Sequence, residues 1–223
     1  MMLDYPHHMK LNDYDLFLFD FDGLLVDTES LHFQAYKITL QQHDCILTWS
    51  LQDYFAIAQV SSEHLKLTIL KTFPSLASIG WNKIYTEKKA NYLKLLKQNQ
   101  TEFMPGALPL LECLKKNNIQ SAVVTHSPLE QIETIRKQLS ELDLIPHWFT
   151  REDYEKPKPA PDGYLKALSA LNSKSPIGFE DSIRGLQSLQ AAQVPAVLVR
   201  PSTYPPYETK EALCLSSLEK LLS

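Results

Sequence analysis

A chain of 223 residues, 44% hydrophobic and 22% charged, can bury a substantial core and has the balance of an ordinary globular protein. Its formal net charge of -4 leaves no basic footprint, so no nucleic-acid partner is expected. No window approaches the ~18 uninterrupted apolar residues of a membrane span, and the opening MMLDYPHHMKLNDYD lacks the charged-then-apolar order of a signal peptide.

Taken in chain order, His7 and His8 precede the first element and read as an unstructured lead-in. Leu16 to Phe19 is an apolar run without helical period, the mark of a buried strand. It ends on Asp20 and Asp22, with Gly23 next. From about Ser30 to Gln98 the texture is helical. Leu31, Ala35, Ile38 and Leu40 share one face of a first helix, and Leu65, Ile69 and Leu70 mark a second, ended by Pro74. Ile84, Tyr85, Tyr92, Leu95 and Leu96 mark a third, with Lys88, Lys89 and Lys94 expected in solvent. Met104-Pro105-Gly106 is a turn signal, and beyond it the pattern alternates. Helices are expected near 107–116, 129–139, 163–171 and 182–192. Strands are expected at 120–125, 148–150, 177–180 and 196–199. Pro201 to Pro206 is expected to run over the surface. Cys45, Cys113 and Cys214, odd in number and unpatterned, fit a reducing cytoplasm better than a disulfide framework.

Strands alternating with helices imply a parallel sheet covered on both faces. The expected fold is therefore α/β, with a Rossmann-like core built from residues 1–28 and 100–223. An all-helical domain, 29–99, is inserted after the first strand. Ligands of such sheets bind beyond the carboxyl ends of the strands. Those ends carry Asp20 and Asp22, then Thr125-His126-Ser127, then Glu180-Asp181-Ser182. The loop EKPKPAPDG adds Lys156 and Lys158.

Four acidic groups without histidine or cysteine partners suit a hard cation, Mg²⁺ rather than Zn²⁺. A bound divalent ion would relieve the repulsion between Asp20 and Asp22. Thr125 and Lys158 offer a donor and a positive charge to a phosphate, and backbone N–H groups after Thr125 add further donors. An aspartate can attack phosphorus, and a second carboxyl two residues on can protonate the leaving oxygen and then activate water. Gly23 lets the backbone turn tightly enough to aim both side chains. A calcium loop of the D-x-D-x-D-G type is excluded, because Leu24 stands at its third ligand position and Leu31 where a bidentate Glu is needed.

Four segments resemble, in order and spacing, the motifs of the haloacid dehalogenase-like phosphotransferase superfamily. They are DFDGLLVDTE, VVTHS, KPKPAPDGYL and GFEDSIRGLQSLQAAQV, spanning about Tyr14 to Val199. The likeness is to its branch with a helical cap inserted after the first motif, which includes β-phosphoglucomutase-like sugar phosphatases. The resemblance implies Asp20 as nucleophile and Asp22 as acid/base. It implies Mg²⁺ held by the side chains of Asp20 and Asp181, by the backbone carbonyl of Asp22, and by Glu180 directly or through water. Gly23, Thr125, the amide of His126, and Lys158 would receive the phosphoryl group. The implied reaction is hydrolysis of a small phosphorylated metabolite through an aspartyl-phosphate.

Each residue also has a plainer reading. Asp181 or Thr125 can cap the helix that follows. His126 is expected at the phosphate by its backbone rather than its imidazole, and Lys156 is expected in solvent. Asp27, Thr28 and Glu29 stand where the chain enters the helical domain, as hinge or support. Asp162 stabilises the proline-rich loop or starts the next helix. No arginine occurs between Met1 and Ile135. Arginine's fork is the usual grip on a distal phosphate, so a β-phosphoglucomutase-type mutase is the second reading, with Lys66, Lys83, Lys88 or Lys89 as substitute charges. A catalytically silent regulatory member would have lost a chemical group, and each motif keeps its own.

Overall fold

The computed structural model describes residues 10–98, 100–201, 209 and 212–222. His7, His8 and residues 202–206 lie outside them. The chain divides into two compact units, one holding described residues up to Asp27 and from Glu102 onward, the other Thr28–Thr101.

The first unit is a six-stranded parallel sheet with helices, an α/β architecture. Its strands are β1 (Leu16–Phe19), β2 (Gln120–Val124), β3 (His147–Phe149), β4 (Pro176–Glu180), β5 (Ala196–Val199) and β6 (Leu213–Leu215), in the order β3-β2-β1-β4-β5-β6. β1 lies inside the sheet, and all four of its residues are fully buried. The period of two divides it cleanly. Leu16 and Leu18 join Ala122, Val124, Ala196 and Leu198 in one core cluster. Phe17 and Phe19 stack on Phe179, with ring centroids 5.4 and 5.1 Å away.

Two of the unit's helices cover the Leu16–Leu18 cluster. They are α7 (Asp162–Leu171), through Tyr164 and Ala167, and α8 (Ile183–Ala191), through Leu186 and Leu189. A methyl group on Gly178 would collide with the Leu189 side chain, so a glycine in β4 sets how closely α8 approaches. In register, Phe19 pairs with Val123 on one side and Phe179 on the other. Adjacent strands run about 4.8 Å apart. The residues that follow β1, β2 and β4 therefore emerge side by side at one edge.

The second unit is helical, made of α1 (Glu29–Gln41), α2 (Leu51–Ala58), α3 (Ser62–Thr72) and α4 (Trp81–Gln98). α1 packs against α4, around a core that includes Phe33, Tyr36, Leu40, Leu65, Ile69 and Ile84. The remaining helices, α5 (Ala107–Lys116) and α6 (Leu129–Arg136), belong to the sheet unit.

Three expectations change. α2 was not anticipated, nor was β6. Lys88 is buried, whereas Lys89 and Lys94 are exposed as expected. Lys88 shares a helix face with Ile84 and Tyr92. Its ammonium lies 2.6 Å from His32 Nδ1 and over the rings of Tyr36 and Tyr92 at 5.0 and 5.2 Å. Aromatic faces and a neutral imidazole offset the cost of burying the cation. Burial and the Lys88 charge hold the His32 imidazole well below its ordinary value. The three cysteines are free, and no helix among the described residues is long and apolar enough to cross a membrane.

Candidate active site

Parallel strand ends bring together the residues that the sequence singles out. Asp20 follows β1, Thr125 follows β2, and Glu180 with Asp181 closes β4. Asp20, Glu180 and Asp181 each offer a carboxylate oxygen within 4.8 Å of the others, the one such acidic group among the described residues. Three carboxylates without nitrogen or sulfur donors fit a hard divalent cation. The Asp22 side chain is not part of that group. Ser127 Oγ donates to its Oδ2 at 2.5 Å, and Thr125 Oγ1 lies 3.5 Å from the same oxygen. The two aspartates are thus turned to different neighbours. Between them and the next turn, Gly23 adopts φ 76°, and its N–H reaches the Val26 carbonyl at 2.9 Å. Glycine takes that left-handed conformation without the steric cost other residues carry.

Lys158 is buried, and its ammonium has three partners. It donates to Asp20 Oδ1 at 2.5 Å and to the Val124 carbonyl at 2.9 Å, and lies 2.6 Å from Glu180 Oε1. Burial works to lower the ammonium's pKa, but the charges of Asp20 and Glu180 override it, and the group is held above its ordinary range. Glu180 is fully buried and also accepts a hydrogen bond from Tyr164 Oη. Burial raises its carboxyl to about 7, against the pull of the Lys158 charge. A methyl group on Gly185 would overlap the Glu180 carboxylate, so the helix after β4 needs glycine there.

The plainer cap readings are not the ones the structure adopts. Ser182, not Asp181, stands at the N-cap of α8, accepting from the Gly185 N–H at 3.1 Å. Pro128 precedes α6, and Thr125 Oγ1 instead accepts the Ser127 N–H at 3.0 Å. Asp162 fills both roles expected of it, opening α7 and accepting the Lys156 N–H at 3.1 Å. Lys156 is exposed. The His126 ring, given no task by the sequence, accepts the Lys158 backbone N–H at 2.5 Å.

Sequence reasoning missed Ser127, Tyr164 and Tyr154, whose Oη donates to the Thr125 carbonyl at 2.7 Å. Ser127 and Tyr164 lie inside the segments quoted above. Their partners, however, stand 105 and 16 residues away, and no local spacing announces them.

Residues 17–199 match the family model of the haloacid dehalogenase-like hydrolases. The chain belongs to that family. Among curated relatives, it is 32% identical to a protein named probable pseudouridine-5'-phosphatase from Saccharomyces cerevisiae, over 92% of this chain and 93% of that one. It is 28% identical to the protein CbbY of Rhodobacter capsulatus over 84% and 85% of the two chains. To a phosphorylated carbohydrates phosphatase of Thermotoga maritima it is 29% identical, over 79% and 81%. Among solved structures, CbbY from Rhodobacter sphaeroides superposes with a TM-score of 0.75 at 22% identity, covering 93% of this chain and 96% of that one, a likeness of fold.

Proposed function

We propose that this chain is a Mg²⁺-dependent phosphatase that hydrolyses a small phosphomonoester, a sugar phosphate or similar metabolite, through an aspartyl-phosphate on Asp20. In this reading the sheet unit is the catalytic core and the helical unit is the cap that selects the substrate. The observation that carries it is the different surroundings of the two aspartates. Asp20 faces Lys158 and the acidic group, while Asp22 is held apart by Ser127. Two of the relatives above are named as phosphatases, which supports the same class of substrate.

Mg²⁺ would be held by the carboxylates of Asp20 and Asp181, by the Asp22 carbonyl, and by Glu180 directly or through water. It would supply positive charge to the phosphoryl oxygens. Asp20 attacks phosphorus, forming one P–O bond as the ester P–O bond breaks. Asp22 gives its proton to the leaving oxygen. Water then attacks the phosphorus, Asp22 takes its proton, and inorganic phosphate leaves Asp20 regenerated. Lys158, Thr125 and the His126 amide counter charge on the transferring group.

The test is phosphate release from an aryl phosphate, with and without Mg²⁺ or chelator. Asp20→Asn is expected to lower kcat by roughly a thousandfold or more. Full activity in that variant would remove Asp20 as nucleophile. Running the assay on β-glucose 1-phosphate separates the readings, since a mutase would yield glucose 6-phosphate and a phosphatase free phosphate.

A further inference from the structure

The tripeptide Pro157-Lys158-Pro159 has a single backbone donor, because proline carries no N–H. That donor, the N–H of Lys158, goes to His126 Nε2 at 2.5 Å. An accepting Nε2 carries no proton, so the ring is neutral with its hydrogen on Nδ1. Two further bonds tie the same loop to the same short segment. The Lys158 ammonium donates to the Val124 carbonyl at 2.9 Å, and Tyr154 Oη donates to the Thr125 carbonyl at 2.7 Å. Three consecutive residues, Val124, Thr125 and His126, thus hold the proline-rich loop. His126 is the one that does so by its side chain.

We propose that His126 is a positioning residue, whose neutral imidazole fixes the backbone from which the Lys158 ammonium reaches Asp20. The catalytic part of this inference rests on the phosphatase reading above; the hydrogen bond does not. The surroundings keep the ring in the form it needs. Burial, then the charges of Lys158, Arg184 and Arg151, lower the imidazole to about 3. The Tyr154 ring, 6.2 Å away between centroids, closes one side. The ring therefore stays an acceptor throughout the neutral range. A histidine in its ordinary range would lose the bond on mild acidification.

The direct measurement is a scalar coupling across the hydrogen bond, between the Lys158 amide nitrogen and His126 Nε2, in the full-length wild-type protein. Its presence is expected, and its absence in a spectrum with both resonances assigned overturns the proposal. Three variants carry the functional half. His126→Phe and His126→Asn remove or withdraw the acceptor, whereas His126→Gln places an amide oxygen where Nε2 stood. In the first two, Lys158 amide exchange should quicken at least tenfold, and kcat for an aryl phosphate should fall roughly tenfold to a hundredfold, as a small misplacement of a catalytic group does. Gln should return both to within about threefold. Wild-type exchange and kcat in a folded Phe or Asn variant overturn the inference. So does Gln restoring amide protection without restoring kcat. If wild type hydrolyses no phosphate ester, it is the phosphatase reading that fails, and the coupling and exchange still decide the hydrogen bond.

Discussion

Glu180 shows how closely the site is built around single atoms. Its carboxylate is fully buried, and its Oε1 meets both the Lys158 ammonium and the Tyr164 hydroxyl. A buried carboxylate is tolerated only when its oxygens are paired. Tyr164 is therefore structural support for the acidic group, although nothing in its sequence neighbourhood distinguishes it from a core aromatic. Removing its hydroxyl leaves the carboxylate one donor short. Hydrogen bonds to charged groups are worth about 1.5–3 kcal/mol, so above pH 7, where the Glu180 carboxyl has given up its proton, Tyr164→Phe should lose about that much stability, read as a lower urea midpoint. It should also push the Glu180 carboxyl further up, since the Tyr164 hydrogen bond acts to lower it. An unchanged midpoint would show that water replaces the hydroxyl at no cost.

At the scale of elements, what was legible depended on whether a signal was local. The alternation of strands and helices, and the chemical residues at strand ends, could be read because each strand is apolar and each motif is short. α2 was overlooked although its start carries a local signature. Ser50 Oγ accepts the Asp53 N–H at 3.1 Å and Asp53 Oδ2 accepts the Ser50 N–H at 2.9 Å, a reciprocal capping box. The helix itself is only eight residues, too short for its periodicity to stand out. β6 is shorter still, three residues held by pairing with β5, a partner that no local pattern reveals. Lys88 was misplaced for a different reason. A lysine on a helix reads as solvated until the rings that cover it are known. Because α2 is short, it depends on its cap. Ser50→Ala should lower the stability of the helical unit by about 1 kcal/mol, visible as faster amide exchange in residues 51–58 before any change in the sheet unit.

For the molecule as a whole, the two units should answer acidification differently. In the helical unit, His32 has a folded pKa well below its ordinary 6.5. Below pH 6.5 the unfolded chain binds a proton that the folded unit refuses. Stability is then fully present above 6.5 and lost as pH falls, by up to about 1.4 kcal/mol per pH unit for one proton. Two of the sheet unit's shifted groups, His126 and Glu180, have opposite sign. His126, lowered to about 3, acts as His32 does. Glu180, raised to about 7, binds its proton in the folded state first, so its contribution is fully present below the ordinary 4.5 and lost as pH rises through 7. Between about pH 4.5 and 6.5 the two oppose each other, and at lower pH the lowered carboxyl of Asp15 joins His126 in losing stability. In the presence of chelator, amide exchange compared at pH 7 and pH 5.5, and corrected for the intrinsic rate, should show the helical unit losing protection while the sheet unit keeps its own. His126→Gln removes one of the opposing pair, so the sheet unit of that variant should gain stability on going from pH 6.5 to 5. A parallel loss in both units of the wild type would mean that the Glu180 proton is not held as its burial requires.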